Sequence, residues 1–281
     1  MRWLGCVVRR LPAAWLPEQA LLRHRAIPDT LWADTLAAYP FLTWRTPERQ
    51  ARLRALATLF LARKQFTPMP GVTLTDAMAV AIAAQACLPV LQWGLTPYSG
   101  FVSIVVHPDQ VIARREIVDD AGVVHHYEEV LAGEAQHDGP IMLSWRDVDM
   151  GADHPEGYNV VIHEFVHALD MSNGDADGLP PLPARIQQGH WLDTLWQAFD
   201  RHRDALAHGD ATWLDPYAAE QGLTEFLPVV CEAFFVAPHR LAEAHPDVYA
   251  LMCTYFGEDP TRHAPAPPQP SRPSATAHPT L

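Results

Sequence analysis

The sequence predicts an α+β domain, mainly helical, with a small sheet packed on one chemically unusual helix. Three observations point there. Apolar residues recur at helical spacing on both sides of the chain's centre. Between about residues 101 and 148 the pattern changes to short β-branched runs. Residues 160–170 then combine a helical apolar pattern with His163, Glu164 and His167. With 281 residues, 48% of them hydrophobic, the chain is long enough for one large core or two small ones. The expected organisation is an N-terminal arm over residues 1–27, a domain over 28–260 and a tail over 261–281.

Taken in order, residues 28–66 read as helical. Thr46-Pro47-Glu48 supplies an N-cap with proline at the first helical position, and Leu53, Leu56, Leu59 and Phe60 form a core stripe. Pro68, Pro70 and Gly71 end that segment. Thr75-Asp76 opens a second helix to about Leu88, rich in alanine and apolar nearly all round, hence buried. The next region reads as strands: Phe101 to His107, closed by Pro108-Asp109, then Val111 to Ala113, a mixed stretch from Val123 to Leu131, and Gly139 to Trp145, with Val148 closing the region. Such a sheet, packed on the histidine-bearing helix, offers an edge for an extended peptide. After a proline-rich loop at Gly178 to Pro183 comes an amphipathic helix from Trp191 to Leu206, a turn at Asp215-Pro216-Tyr217, and a helix from Thr224 to Val236 stopped by Pro238. Arg240 to Phe256 is helical with a break at His245-Pro246 and a cap at Gly257. From Pro260 on, prolines alternate with small and polar residues, a composition that predicts disorder.

The organising stretch is the H-E-x-x-H of His163, Glu164 and His167. On a helix the two histidines stand about 40° apart on one face, one turn apart along the axis, so both imidazoles can bind one Zn²⁺. Glu164 lies beside the metal but turned from it, where a carboxylate can act as general base toward a zinc-activated water. Ile162, Val166 and Leu169 point elsewhere and anchor the helix, and Asn173-Gly174 is a plausible stop. Asp170 shares the metal-facing side but is two turns from His163; because helical side chains lean toward the N-terminus, it is expected to orient His167. A catalytic zinc takes three protein ligands, and the third lies outside the motif. Glu220, Glu225 and Glu232 are the candidates, and position alone does not separate them.

Composition excludes other classes. A net charge of −13 with no basic stripe argues against direct nucleic-acid binding. The apolar stretch at residues 3–16 is interrupted by Arg9-Arg10 and Pro12, too short for a membrane span and without a clear signal cleavage site. The four cysteines, Cys6, Cys87, Cys231 and Cys253, are scattered, which fits free thiols in a reducing cytoplasm.

The motif and its surroundings resemble a known family. His163 to Asp170, Tyr217, Thr224-Glu225-Phe226 and Glu232-Ala233-Phe234-Phe235 look like the Mlc titration factor A family of zinc peptidases. Upstream, Leu74-Thr75-Asp76, Ile82 to Leu88, Leu131-Ala132-Gly133-Glu134, Gly139-Pro140 and Leu143-Ser144-Trp145 stand as in that family. The metal-site arrangement is also similar to the catalytic domain of anthrax lethal factor. The resemblance covers roughly residues 28–260. It implies a zincin-like fold, aminopeptidase-type activity on a peptide or protein substrate, Glu225 as the third zinc ligand and Tyr217 as hydroxyl donor to the oxyanion, leaving Glu232 as a structural or outer acid. Three features depart from the family: Ala168 replaces a usual Lys, the Tyr217–Glu225 interval is one residue longer, and Pro228 falls inside the ligand helix. The resemblance also implies an alternative role, a protein that binds and sequesters a transcriptional repressor of sugar uptake, and so acts in regulation of the glucose phosphotransferase system.

Overall fold

The computed structural model of the chain describes residues 17–118, 124–151 and 157–266, and for 113–130 the backbone alone. The stretch expected as an arm at residues 3–16, Cys6 and the tail beyond residue 266 lie outside the described residues. Helices dominate. In α1 (Glu18–His24), Leu21 is buried, and the core already includes Leu21 and Ile27, ahead of residue 28. The α2 helix (Asp29–Ala38) and a 3₁₀ turn at Pro40–Thr43 lead to α3 (Pro47–Arg63), where the Thr46 hydroxyl accepts from Arg49 N and the expected stripe is buried. Thr75 caps α4 (Asp76–Ala86) in the same way. Nine residues of α4, Met78 to Ala86, are buried, as a helix apolar on all sides demands.

Four short strands form the main sheet, in the order β1 (Gln65–Pro68), β2 (Ser103–His107), β6 (Ile141–Ser144), β5 (Gly133–Ala135). The first three run parallel, with Phe66 opposite Ile104 and Ile104 opposite Ile141. The edge strand β5 runs antiparallel to β6, with Glu134 opposite Met142. Between β2 and β5 the chain makes a separate antiparallel hairpin, β3 (Val111–Val118) and β4 (Val124–Leu131), in which Val111 pairs with Leu131 and Val118 with Val124.

Several boundaries differ from expectation. The strand β1 is a departure: it is an exposed, four-residue edge ending in proline, and so shows no alternation. The strand expected to run to Trp145 stops at Ser144, whose hydroxyl accepts from Asp147 N and starts a short helix, α5 (Trp145–Met150). The β3 strand runs past Ala113, paired with β4 through Val118; Arg114, Arg115 and Glu116 hide that extension in the sequence.

The helix of the motif, α6 (Val160–Asp170), packs against α4, β5 and a later helix, α8 (Leu223–Val236). Its apolar side is anchored by Phe165, which is fully buried among Phe60, Tyr98 and Phe101 with ring centroids at 5.5, 5.2 and 5.8 Å. Truncating such a ring to alanine costs about 3–5 kcal/mol. Between α6 and α8 lies α7 (Gln188–His208), whose Trp191, Leu195 and Phe199 are buried. Pro228 is accommodated inside a continuous α8. The chain closes with α9 (Pro238–Ala244) and α10 (Pro246–Phe256), separated at His245 as expected. Hydrogen bonds continue past the expected boundary at residue 260: Thr261 Oγ1 and Arg262 Nε both donate to Asp259. Cys87 and Cys231 are free and buried, and no helix among the described residues is long and apolar enough to cross a membrane.

Candidate metal centre

The centre forms where α6 crosses the first turn of α8. Asn159 caps α6: its Oδ1 accepts from Ile162 N at 2.9 Å, and its Nδ2 donates to Gln85 Oε1 of α4 at 2.7 Å. That cap fixes the helix whose one face carries His163 and His167. Glu225, third residue of α8, enters from the other side. The three donor atoms make a nearly regular triangle: His163 Nε2 to His167 Nε2 is 3.1 Å, His163 Nε2 to Glu225 Oε2 is 3.1 Å, and His167 Nε2 to Glu225 Oε2 is 3.4 Å. Ligands of a tetrahedral ion bound at about 2.0 Å stand about 3.3 Å apart, so these residues fit one metal ion with a fourth position left over.

Outer contacts orient the donors. Glu232, two turns further along α8, places Oε1 2.7 Å from His163 Nδ1 and accepts through its other oxygen from Asn159 N. A cation at Nε2 of His163 would displace the proton shared with Glu225 and leave Nδ1–H to donate to Glu232. Burial works to lower the His163 pKa, but the hydrogen bonds to Glu225 and Glu232 and the nearby carboxylate charges outweigh it and hold it well above the usual range. For Glu225, burial works upward, yet the hydrogen bonds and charge of both histidines pull its pKa well below the carboxylate range.

Glu164 is 5% exposed and, among the described residues, is not part of the group of His163, His167 and Glu225. Burial raises its pKa above the ordinary value, with the histidines acting against and the other glutamates with that shift. It lies against the edge strand so closely that a Cβ on Gly133 would stand 2.5 Å from its Oε1 and 2.6 Å from its Cγ. Tyr217 sits in a 3₁₀ turn, Pro216–Ala219, held because Asp215 Oδ1 accepts from Tyr217 N at 2.9 Å. Its ring centroid is 6.0 Å from that of His163. Behind the turn, buried His202 of α7 donates to Asp215 O at 3.2 Å. Beside Glu164 opens a cavity of about 210 Å³.

Of the three candidate glutamates, the structure brings Glu225 to the Nε2 atoms and Glu232 to Nδ1, and leaves Glu220 exposed. Asp170, expected to orient His167, makes a different bond: its Oδ2 accepts from Gly178 N at 2.7 Å, and no hydrogen bond joins it to His167 among the described residues. Sequence reasoning missed Asn159, Gln85 and Gly133. Asn159 carried a signal of its own, an N-capping residue directly before the apolar run, while Gln85 and Gly133 stood within family-like stretches with no role assigned to them.

Among the described residues, two histidines and one glutamate thus form a group that could hold a metal ion, with the buried carboxylate of Glu164 beside it. Residues 13–257 match the family described as glucose-regulated metallo-peptidase M90, and the chain belongs to that family. Among its relatives, the Mlc titration factor A of Salmonella arizonae is 37% identical over 237 residues, 83% of this chain and 93% of the relative. That of Escherichia fergusonii is 37% identical over 232 residues, 82% of this chain and 86% of the relative.

Proposed function

We propose that this chain is a zincin-like, zinc-dependent peptidase of the cytoplasm. The donor triangle of His163, His167 and Glu225 is the observation that carries the reading. Two imidazoles and one carboxylate suit zinc, which when bound supplies Lewis acidity toward a peptide carbonyl and toward water. The protein's own residues do the rest. Glu164, buried and with a raised pKa, takes the proton of the attacking water and passes it to the leaving amine. The Tyr217 hydroxyl donates to the oxyanion as negative charge grows there. Glu232 holds His163, and Asn159 and Gln85 hold Glu232 and the helix in turn. The edge strand β5, beside Glu164, is positioned to pair with an extended substrate. The family resemblance supports aminopeptidase-type cleavage.

The test is Glu164→Gln. The variant should retain zinc by elemental analysis and hydrolyse peptides slower by about 10²-fold or more. Wild-type activity in that variant, on a peptide the zinc-free protein leaves intact, would sink the mechanism.

A second role is supported by the relatives' name, which describes titration of Mlc. In that reading the chain sequesters a transcriptional repressor of sugar uptake, with no direct contact to nucleic acid. Repressor capture by Glu164→Gln as strong as by wild type, with no peptide cleaved by either, would favour binding over catalysis.

A further inference from the structure

The outer face of α7 has no task in either reading above. Trp196, near the middle of that helix, is 44% exposed, the one exposed aromatic ring among the residues whose side chains are described. Scattered exposed aliphatic residues are ordinary, but tryptophan is a residue type enriched at the energetic centres of protein interfaces. The ring is held from beneath. It meets Phe199 edge-on with centroids 5.4 Å apart, and Phe199 meets Phe226 at 5.8 Å. It also lies over Gly222, where a Cβ would stand 3.4 Å from the ring. A ring fixed in this way loses little freedom when a partner covers it. Leu192, one turn earlier and partly buried, extends the apolar surface.

Carboxylates border the ring. Asp193 and Asp200 stand one turn to either side of Trp196 and Asp204 two turns on, all exposed. Glu220, exposed and two residues before Gly222, adds a fourth from the adjoining turn. Arg203 pairs with Asp200 at 2.9 Å and with Asp204 at 3.7 Å, while no ion pair among the described residues engages Asp193 or Glu220. On a chain of net charge −13, this border repels a nucleic acid, an anionic membrane or a second copy, and attracts a cationic partner. Side chains one turn apart also form a ridge, the complement of a groove on another helix. The geometry points to this face as a docking surface for a basic amphipathic helix of another protein. That helix lays an apolar side chain on Trp196 and its lysines or arginines against Asp193 and Glu220. None of these residues lines the cavity beside Glu164, so the surface is separate from the metal centre and depends on neither the peptidase nor the repressor reading.

The experiment uses the full chain and, as probe, a fluorescein-labelled amphipathic helix of lysine and leucine, with a glutamate–leucine helix of the same pattern as its counterpart. Fluorescence anisotropy at physiological salt should show saturable binding of the lysine helix and none of the glutamate helix. Trp196→Ala should weaken binding by roughly 30-fold, the scale of a lost interface anchor. Asp193→Lys combined with Glu220→Lys alters no packing and should weaken it by about 10-fold, mainly through slower association, so the test survives if the tryptophan variant does not fold. Met150→Ala, which removes an exposed apolar side chain of α5, should change nothing. Unlabelled lysine helix should shift the tryptophan emission of the wild type, and that shift should vanish in Trp196→Phe. Binding that survives both changes on α7, an equal response to Met150→Ala, preference for the glutamate helix, or no binding at all would overturn the proposal. Self-association of the chain that Trp196→Ala abolishes would make a second copy the occupant and overturn it as well.

Discussion

The two ends of α8 present the same residue type to the same imidazole with different results. Glu225 and Glu232 are seven positions apart, share a helical face, and are 6% and 3% exposed. Glu225 meets Nε2 of His163, the nitrogen that also faces His167. Glu232 meets Nδ1, and its second oxygen is spent on Asn159 N. The two acids thus differ in which ring atom each carboxylate reaches. Face periodicity carries no information on that point.

Two substitutions test the contrast directly, and two more test its surroundings. Glu225→Gln should have the largest effect, removing a donor charge from the triangle: zinc affinity should fall by more than the about 10- to 100-fold typical of outer partners, and activity with it. Competition with a chelator measures this. Glu232→Gln should cost about 10- to 100-fold in zinc affinity, because His163 loses its anchor and keeps its donor atom. If Glu232→Gln lost more zinc than Glu225→Gln, the assignment of the two ends would be reversed. Gly133→Ala touches neither glutamate. Its Cβ would fall within 3 Å of three Glu164 side-chain atoms, so the Glu164 side chain must move. Zinc content should hold, and kcat should drop on the order of 10- to 100-fold.

The smallest effect is on stability and pH, at His202. Burial lowers its pKa from 6.5, and it donates to Asp215 O in the neutral form. The unfolded chain therefore takes up this proton first as pH falls. The stability linked to His202 is present above about pH 6.5 and is lost as pH drops below that value toward the folded pKa. In melting curves at pH 7.5 and 5.5, His202→Gln should narrow the gap between the two melting temperatures. An unchanged gap would show that His202 contributes nothing to it.

Much of this was legible in the sequence where local physics decides. The apolar stripe of α3, the caps at Thr46 and Thr75, the all-round apolar α4 and the break at His245-Pro246 are all products of neighbouring residues. The histidine pair was legible for the same reason, since helical periodicity alone brings the two rings to one face. What was hidden depends on contacts distant in sequence. The strand β1 exists only because Gln65 to Pro68 pair with β2. Asp170 stood at a plausible height to reach His167, but a loop eight residues on offers it an N–H instead. Gly133 has no periodic signature; its importance lies in what passes over it.

That loop has a consequence for how the molecule is assembled. Gly178, at φ +79°, accepts from Trp191 Nε1 through its carbonyl and donates to Asp170 through its N–H. Its Cα faces Leu223 so closely that a Cβ would stand 2.4 Å from the leucine Cβ and 2.9 Å from its carbonyl oxygen. Two positions away, Ala176 O accepts from the Thr224 hydroxyl. The loop therefore joins the end of the histidine helix to the start of the glutamate helix, with all of α7 looped out between them. In a folding chain, the histidines can form their helix locally, but Glu225 arrives only after that long excursion has closed. A metal ion held by the three donors would therefore tie together two helices that the Gly178 junction already joins, and would close the same long excursion a second time.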